Sequence, residues 1–191
     1  MPRLIHLNGP PGIGKSTLAT LFADRHPGTL DLDIDRLHAL VGGWRDPDNG
    51  THDVLRPVAL AMASAHLTGG RDVVLPQYLG RVAEIEAFER VARQHGADFH
   101  EVVLFDERDA ALDRFEHRID DSDWDLHNRR VVEAMGGRAL LADLYDRLIE
   151  LLQRRPSAVV VPSSRDRVEA TYEALIRALD NPGSGNTTPL T

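Results

Sequence analysis

Short apolar runs alternate with amphipathic stretches along most of this chain. Leu4 to Leu7 is apolar and stops at a glycine-rich turn, after which Lys15 to Arg25 places Leu18, Leu21 and Phe22 on one helical face. His26-Pro27-Gly28 closes that helix, and Thr29 to Ile34 alternates Leu30, Leu32 and Ile34 with Asp31 and Asp33, the period-two pattern of a strand. A short helical piece from Arg36 to Val41 leads into a turn-rich loop ending near Gly50. Leu55 to Thr68 then reads as an alanine-rich helix that tolerates Pro57 near its start. Val73-Val74-Leu75 is a strand, Val82 to His95 a helix closed by Gly96, and Glu101 to Phe105 a strand. The helix from Arg108 to Arg118 is followed by a polar interruption from Ile119 to His127. Helices over 128–135 and 138–154, a strand over 158–161 and a last helix over 167–179 complete the series.

Five apolar strands separated by helices predict an α/β fold with a parallel sheet covered on both faces, because parallel crossovers need helices and bury both sides. No internal repeat or interdomain linker interrupts the pattern. We therefore expect one domain over residues 1–180 with a lid at about 115–137, and a disordered tail over 181–191. Ligands should sit beyond the carboxyl ends of the strands.

Composition narrows the chemistry. The 191 residues are 42% hydrophobic and 27% charged, an ordinary globular balance, and contain no cysteine, which removes thiol nucleophiles, thiolate metal sites and disulfides. No stretch approaches the roughly 20 apolar residues that cross a bilayer, so neither export nor membrane insertion is expected, and the expected compartment is the cytoplasm. Net charge is −8, which opposes polyanionic partners such as nucleic acid. None of the nine histidines falls at a recognisable metal-ligand spacing.

The turn after the first strand carries the chemistry. Gly9-Pro10-Pro11-Gly12-Ile13-Gly14-Lys15-Ser16 matches G-x-x-x-x-G-K-[ST] at every position and lies between a predicted strand and a predicted helix. Glycines let main-chain N–H groups converge on an anion, and the helix start through Thr17 adds partial positive charge. Lys15 reaches the β- and γ-phosphates, and Ser16 ligates magnesium. ATP with Mg2+ is the expected cofactor pair; the loop does not distinguish adenine from guanine. Val102-Val103-Leu104-Phe105-Asp106-Glu107 reads like a Walker B strand, which would suit an ATP-bound switch or ATPase. The same carboxylates suit the start of the next helix.

With Leu32-Asp33-Ile34-Asp35-Arg36-Leu37 and Leu112-Asp113-Arg114-Phe115-Glu116-His117-Arg118 added to the phosphate loop, residues 3–179 resemble the small P-loop kinases. That group includes gluconate and shikimate kinases, chloramphenicol phosphotransferase and the kinase domain of polynucleotide kinase. The resemblance implies a P-loop NTPase fold with a helical lid and transfer of the γ-phosphoryl group to a hydroxyl. It implies Asp35 as the base and Arg118 with Arg114 as lid cations. Asp33, two residues before Asp35 and on the same strand face, is the expected magnesium-side carboxylate, with the two aspartate roles exchangeable. Arg129 and Arg130 are secondary candidates, and Ser164 and Arg167 fall where the relatives place adenine.

Acceptor contacts are expected from His38, Gln77, Tyr78 and Arg81, with Trp44 and Arg45 nearby. His38 stands where polynucleotide kinase carries an arginine, and Gln77 where it carries an aspartate. The segment Ile119 to Leu126 is strongly acidic. Both departures favour a small neutral or cationic acceptor over a 5′-hydroxyl nucleic-acid end, which stays as the second reading. The sequence is silent on oligomeric state.

Overall fold

The computed structural model describes residues 1–118 and 122–181. The expected disordered tail lies outside them apart from Asn181, as do Ile119, Asp120 and Asp121 of the expected lid.

Five parallel strands form one sheet in the order β2-β3-β1-β4-β5. They are β1 (Arg3–Asn8), β2 (Leu30–Asp31), β3 (Val73–Leu75), β4 (Asp98–Phe105) and β5 (Val159–Pro162). Eight helices are present among the described residues: α1 (Lys15–Arg25), α2 (Ile34–Leu37), α3 (Thr51–Thr68), α4 (Val82–Gln94), α5 (Arg108–Glu116), α6 (Asp123–Ala134), α7 (Arg138–Arg154) and α8 (Val168–Asp180).

Strand alternation divides the core into two layers. Leu4, Val73, Leu75 and Val103 face α3, α4 and α7, where Ala59 and Ala63 let α3 approach closely while Ile85, Phe88, Leu148 and Leu151 fill the space. Ile5, Leu7, Val74, Val102 and Leu104 face α1 and α8, packing on Leu18, Phe22, Tyr172 and Leu175. Burial on both sides explains why the strands read as continuous apolar runs. A third, smaller cluster of Leu112, Phe115, Val132 and Leu141 joins α5, α6 and α7.

Central β1 pairs with β3 on one side and β4 on the other. The crossover through α1 runs to the β2 edge, whereas that through α4 runs past β1 to β4. The winding direction therefore reverses at β1, which opens a crevice at the carboxyl ends of β1 and β3.

Four boundaries differ from the sequence pattern for local reasons. The second strand ends at Asp31, because the Asp33 carboxylate accepts the Asp35 N–H at 3.1 Å and starts α2 at Ile34. Sheet pairing persists one residue further, as Leu32 N–H donates to the Val74 carbonyl at 2.8 Å. Helix α3 begins at Thr51, so Pro57 sits in its interior. The polar interruption is already helical from Asp123: Ser122 accepts the Asp125 N–H at 3.1 Å, and Asp123 and Asp125 lie in the first turn, where negative charge is favoured. Strand β4 starts at Asp98, and its polar first residues had hidden that extension.

Candidate active site

The glycine-rich loop runs from buried Asn8 to the first turn of α1. Gly14 occupies the N-cap in a left-handed conformation with φ +102°, contributes no capping side chain, and is followed by a first turn without acidic residues. The N–H dipoles of that turn are thus uncompensated by the protein and suited to an anion. Gly12, at φ +79°, passes so close to α5 that an added Cβ would stand 2.9 Å from the backbone of Phe115. Ile13 is fully buried, and its carbonyl accepts from Arg114 Nη2 at 2.7 Å and Ser163 Oγ at 3.0 Å, which fixes the loop from behind.

Lys15 Nζ folds back over the loop and donates to the carbonyls of Gly9 and Pro10, each at 2.9 Å. Packing around its ammonium lowers its pKa to about 8, against the opposing attraction of Asp35 and Asp33. Across from it, Asp33 is 5% exposed and its pKa is pushed up to about 6 by burial and by the neighbouring Asp35 charge. The Ser16 hydroxyl beside this carboxylate works against that rise. A hydroxyl, a buried carboxylate needing countercharge and an adjacent anion cradle form an oxygen donor set that fits a hard divalent cation. Because α2 begins at Ile34, Asp33 and Asp35 sit at a helix start, not on one strand face as the alternation suggested.

A cavity of about 1290 Å³ joins these groups to the end of β3. Gly12, Gly14, Lys15, Ser16, Thr17, Asp33, Asp35, Gln77, Tyr78 and Arg118, all expected from the sequence, line it together. Gln77 Nε2 donates to Asp35 Oδ1 at 3.3 Å, while the Tyr78 hydroxyl donates to the Leu144 carbonyl at 3.0 Å and holds that wall on α7. Two residues of β1 lock the wall from below. His6 Nε2–H donates to the Gln77 carbonyl at 2.9 Å; the Asn8 amide accepts from Gly9 N–H at 2.9 Å and Leu79 N–H at 3.2 Å and donates to the Leu79 carbonyl at 3.1 Å. Arg118 crosses the Phe115 ring at 4.5 Å and bonds the Asp125 carbonyl at 3.1 Å, tying the end of α5 to α6.

Other expected residues lie elsewhere. His38 is fully buried outside the cavity lining: its ring stacks on Trp124 at 4.0 Å and its Nδ1 meets Thr51 Oγ1 at 2.8 Å. Arg81 starts α4, is largely exposed and pairs with Glu84 at 3.1 Å. Arg114 stands behind the loop, bonded to the Ile13 and Ser163 carbonyls and paired with Asp106 at 3.4 Å. Asp106 and Glu107 do not line the cavity; Glu107 occupies the N-cap position of α5. Ser164 and Arg167 are exposed on the β5–α8 connection beside buried Ser163. Arg129 bonds the carbonyls of Glu116 and Arg118, and Arg130 is exposed on α6 outside the cavity lining.

Sequence reasoning missed Asn8, His52, Arg56 and Trp124. The last three line the cavity, but they come from helix positions whose pattern carries no motif.

The sequence matches the family described as AAA domain over residues 4–139. No curated protein matches it significantly. Among solved structures, a Chloroflexus aurantiacus protein described as a candidate kinase superposes with TM-score 0.63 at 15% identity, covering 95% of this chain and 97% of that one. The tunicamycin resistance protein of Deinococcus radiodurans gives TM-score 0.60 at 14% identity, over 93% and 96% of the two chains. A gluconokinase from Sinorhizobium meliloti gives 0.53 at 17%, over 94% and 95%. At these identities the likeness is one of fold.

Proposed function

The chain belongs to the AAA domain family, and on that premise we propose that it is a kinase passing the γ-phosphoryl group of MgATP to a hydroxyl of a small molecule. One observation carries the reading: Lys15, Ser16 and Asp33 at the phosphate loop share a single cavity with Asp35, a carboxylate oriented by Gln77 at 3.3 Å. An ATPase needs no second carboxylate poised beside an acceptor wall.

Magnesium would be held by Ser16 and Asp33, and bound there it supplies neutralisation of the β- and γ-phosphate charge. Loop N–H groups and Lys15 hold the phosphates, drawing Lys15 off the Gly9 and Pro10 carbonyls. Asp35 accepts the acceptor's hydroxyl proton as its oxygen bonds to the γ-phosphorus. The bond from that phosphorus to the β,γ-bridging oxygen breaks, leaving ADP and a phosphate monoester. Arg118 balances charge on the transferring group, and the lid segment around it excludes water that would otherwise hydrolyse ATP. Pairing of Asp106 with Arg114 behind the loop favours this reading over a Walker B switch.

Replacement of Asp35 by Asn removes the base while keeping the shape. Transfer should fall by about 10²–10⁴ in kcat with MgATP affinity retained. A variant that transfers phosphate at the parental rate would refute the assignment.

A further inference from the structure

We infer that the acceptor is an uncharged molecule whose hydroxyl is borne near a flat aromatic ring, and that Trp124 and Trp44 form the ring's binding wall. The inference rests on the kinase reading above and names the substrate class for the same cavity.

The chain has two tryptophans, and both line the cavity that contains Lys15 and Asp35. They come from distant segments, Trp44 from the loop after α2 and Trp124 from α6, yet their ring centroids are 5.9 Å apart. Neither indole belongs to the three apolar clusters that hold the fold together. His38 stacks on Trp124 at 4.0 Å, and the His127 ring lies 5.3 Å from Trp44 and 5.6 Å from Trp124. Two large rings supported by other rings, outside the main apolar clusters and lining one cavity with Asp35, form a wall suited to stacking, with Trp44 buried and Trp124 partly open.

Unbonded polar atoms lie in the same cavity. Trp124 Nε1 and Gln77 Oε1 are buried without a hydrogen-bond partner, one a donor and the other an acceptor, and both residues line the cavity. Buried polar groups are normally satisfied. A ring carrying a carbonyl or ether oxygen would take the indole N–H, and an N–H or hydroxyl on the ligand would serve Gln77.

Charge selects against ions. Asp123 pairs with Arg45, Asp125 pairs with Arg118 at 3.4 Å, and Arg56 pairs with Glu84 at 3.0 Å. The Arg45 guanidinium lies 4.4 Å over the Trp44 ring and already takes the cation position there. Beside the indoles, the Asp123 and Asp125 carboxylates are thus already paired and leave an ammonium no open countercharge there, and Arg45 is neutralised against a carboxylate ligand. This narrows the neutral or cationic expectation to neutral.

The test uses the full chain with MgATP and three groups of alcohols: thymidine, benzyl alcohol and 2-phenylethanol; glycerol and sorbitol; choline and gluconate. Transfer is read as ADP formed and phosphorylated product by mass spectrometry, and binding as quenching of tryptophan fluorescence, which reports on this wall alone. Ring-bearing alcohols should quench saturably and exceed the others by about tenfold or more in kcat/KM. Trp124→Ala should raise their KM by about tenfold with a smaller change in kcat, and Trp124→Phe should restore most of it. Equal or better use of ring-free or charged alcohols, or an unchanged KM in Trp124→Ala, overturns the inference and leaves the kinase reading standing. Ring-bearing alcohols that neither quench nor accept phosphate overturn it too. Failure of the kinase reading itself is distinguished by MgATP titration of the same protein, where absence of binding removes both.

Discussion

Asp33 and Asp35 stand two positions apart in different surroundings, because one is enclosed while the other meets the Gln77 amide. The sequence identified both residues but assumed a strand, and only the cap formed by Asp33 separates their environments. The phosphate loop was legible in full, since its function resides in backbone geometry that glycine positions dictate. Gly12 tests that geometry most directly. Gly12→Ala forces a positive φ on a residue with a Cβ and drives that atom into the Phe115 backbone. We expect it to weaken MgATP binding by about tenfold or more and to cost about 1–3 kcal/mol of stability, measured by calorimetry and denaturant titration. Unchanged affinity would mean that the loop relaxes without loss of its cradle.

At the level of elements, the pattern located every strand and the long helices, and it erred where local hydrogen bonds overrode periodicity. The start of helix α6, expected only from residue 128, was hidden because its first turn is acidic, yet that acidity, with Ser122 as cap, is what begins it. Ser122→Ala should therefore loosen the start of α6 at a cost of about 1 kcal/mol, seen as faster amide exchange at the start of the helix. Helix α3 gives the converse case. Pro57 suggested a nearby helix start, but the helix extends back to Thr51, so Pro57 withholds an interior N–H from the Asp53 carbonyl one turn earlier. Pro57 is exposed, and Pro57→Ala should raise stability by about 1–2 kcal/mol, the interior proline penalty less the entropy that proline removes from the unfolded chain. A lower denaturation midpoint would contradict this.

For the whole molecule, folding buries a titratable ring beneath the active site. His6 is fully enclosed and its pKa falls to about 4, because burial penalises the imidazolium and Lys15 and Arg155 oppose it. The unfolded chain binds a proton near pH 6.5, so stability falls as pH drops from that value towards 4, by about 3 kcal/mol from this group. Asp33, raised to about 6, acts in the opposite sense over the same range, as its folded form holds a proton that the unfolded form has lost. Comparing the protein with His6→Gln isolates the histidine contribution: the variant should lose about 3 kcal/mol less between pH 7 and pH 4 in urea unfolding. Parallel loss in both proteins would show that His6 keeps its proton equilibrium on folding. What the sequence alone determined was the alternation of strands and helices and the phosphate loop between the first pair, since both are local properties of periodicity and backbone freedom. Tertiary structure decided the rest. Asn8 reaches Leu79, Gln77 reaches Asp35 and Trp124 reaches Trp44 only once the strands take the order that sets β3 beside β1 and α6 closes against the loop after α2. Contacts between segments that far apart depend on the summed burial of the whole sheet and its helices, which no local window of residues encodes.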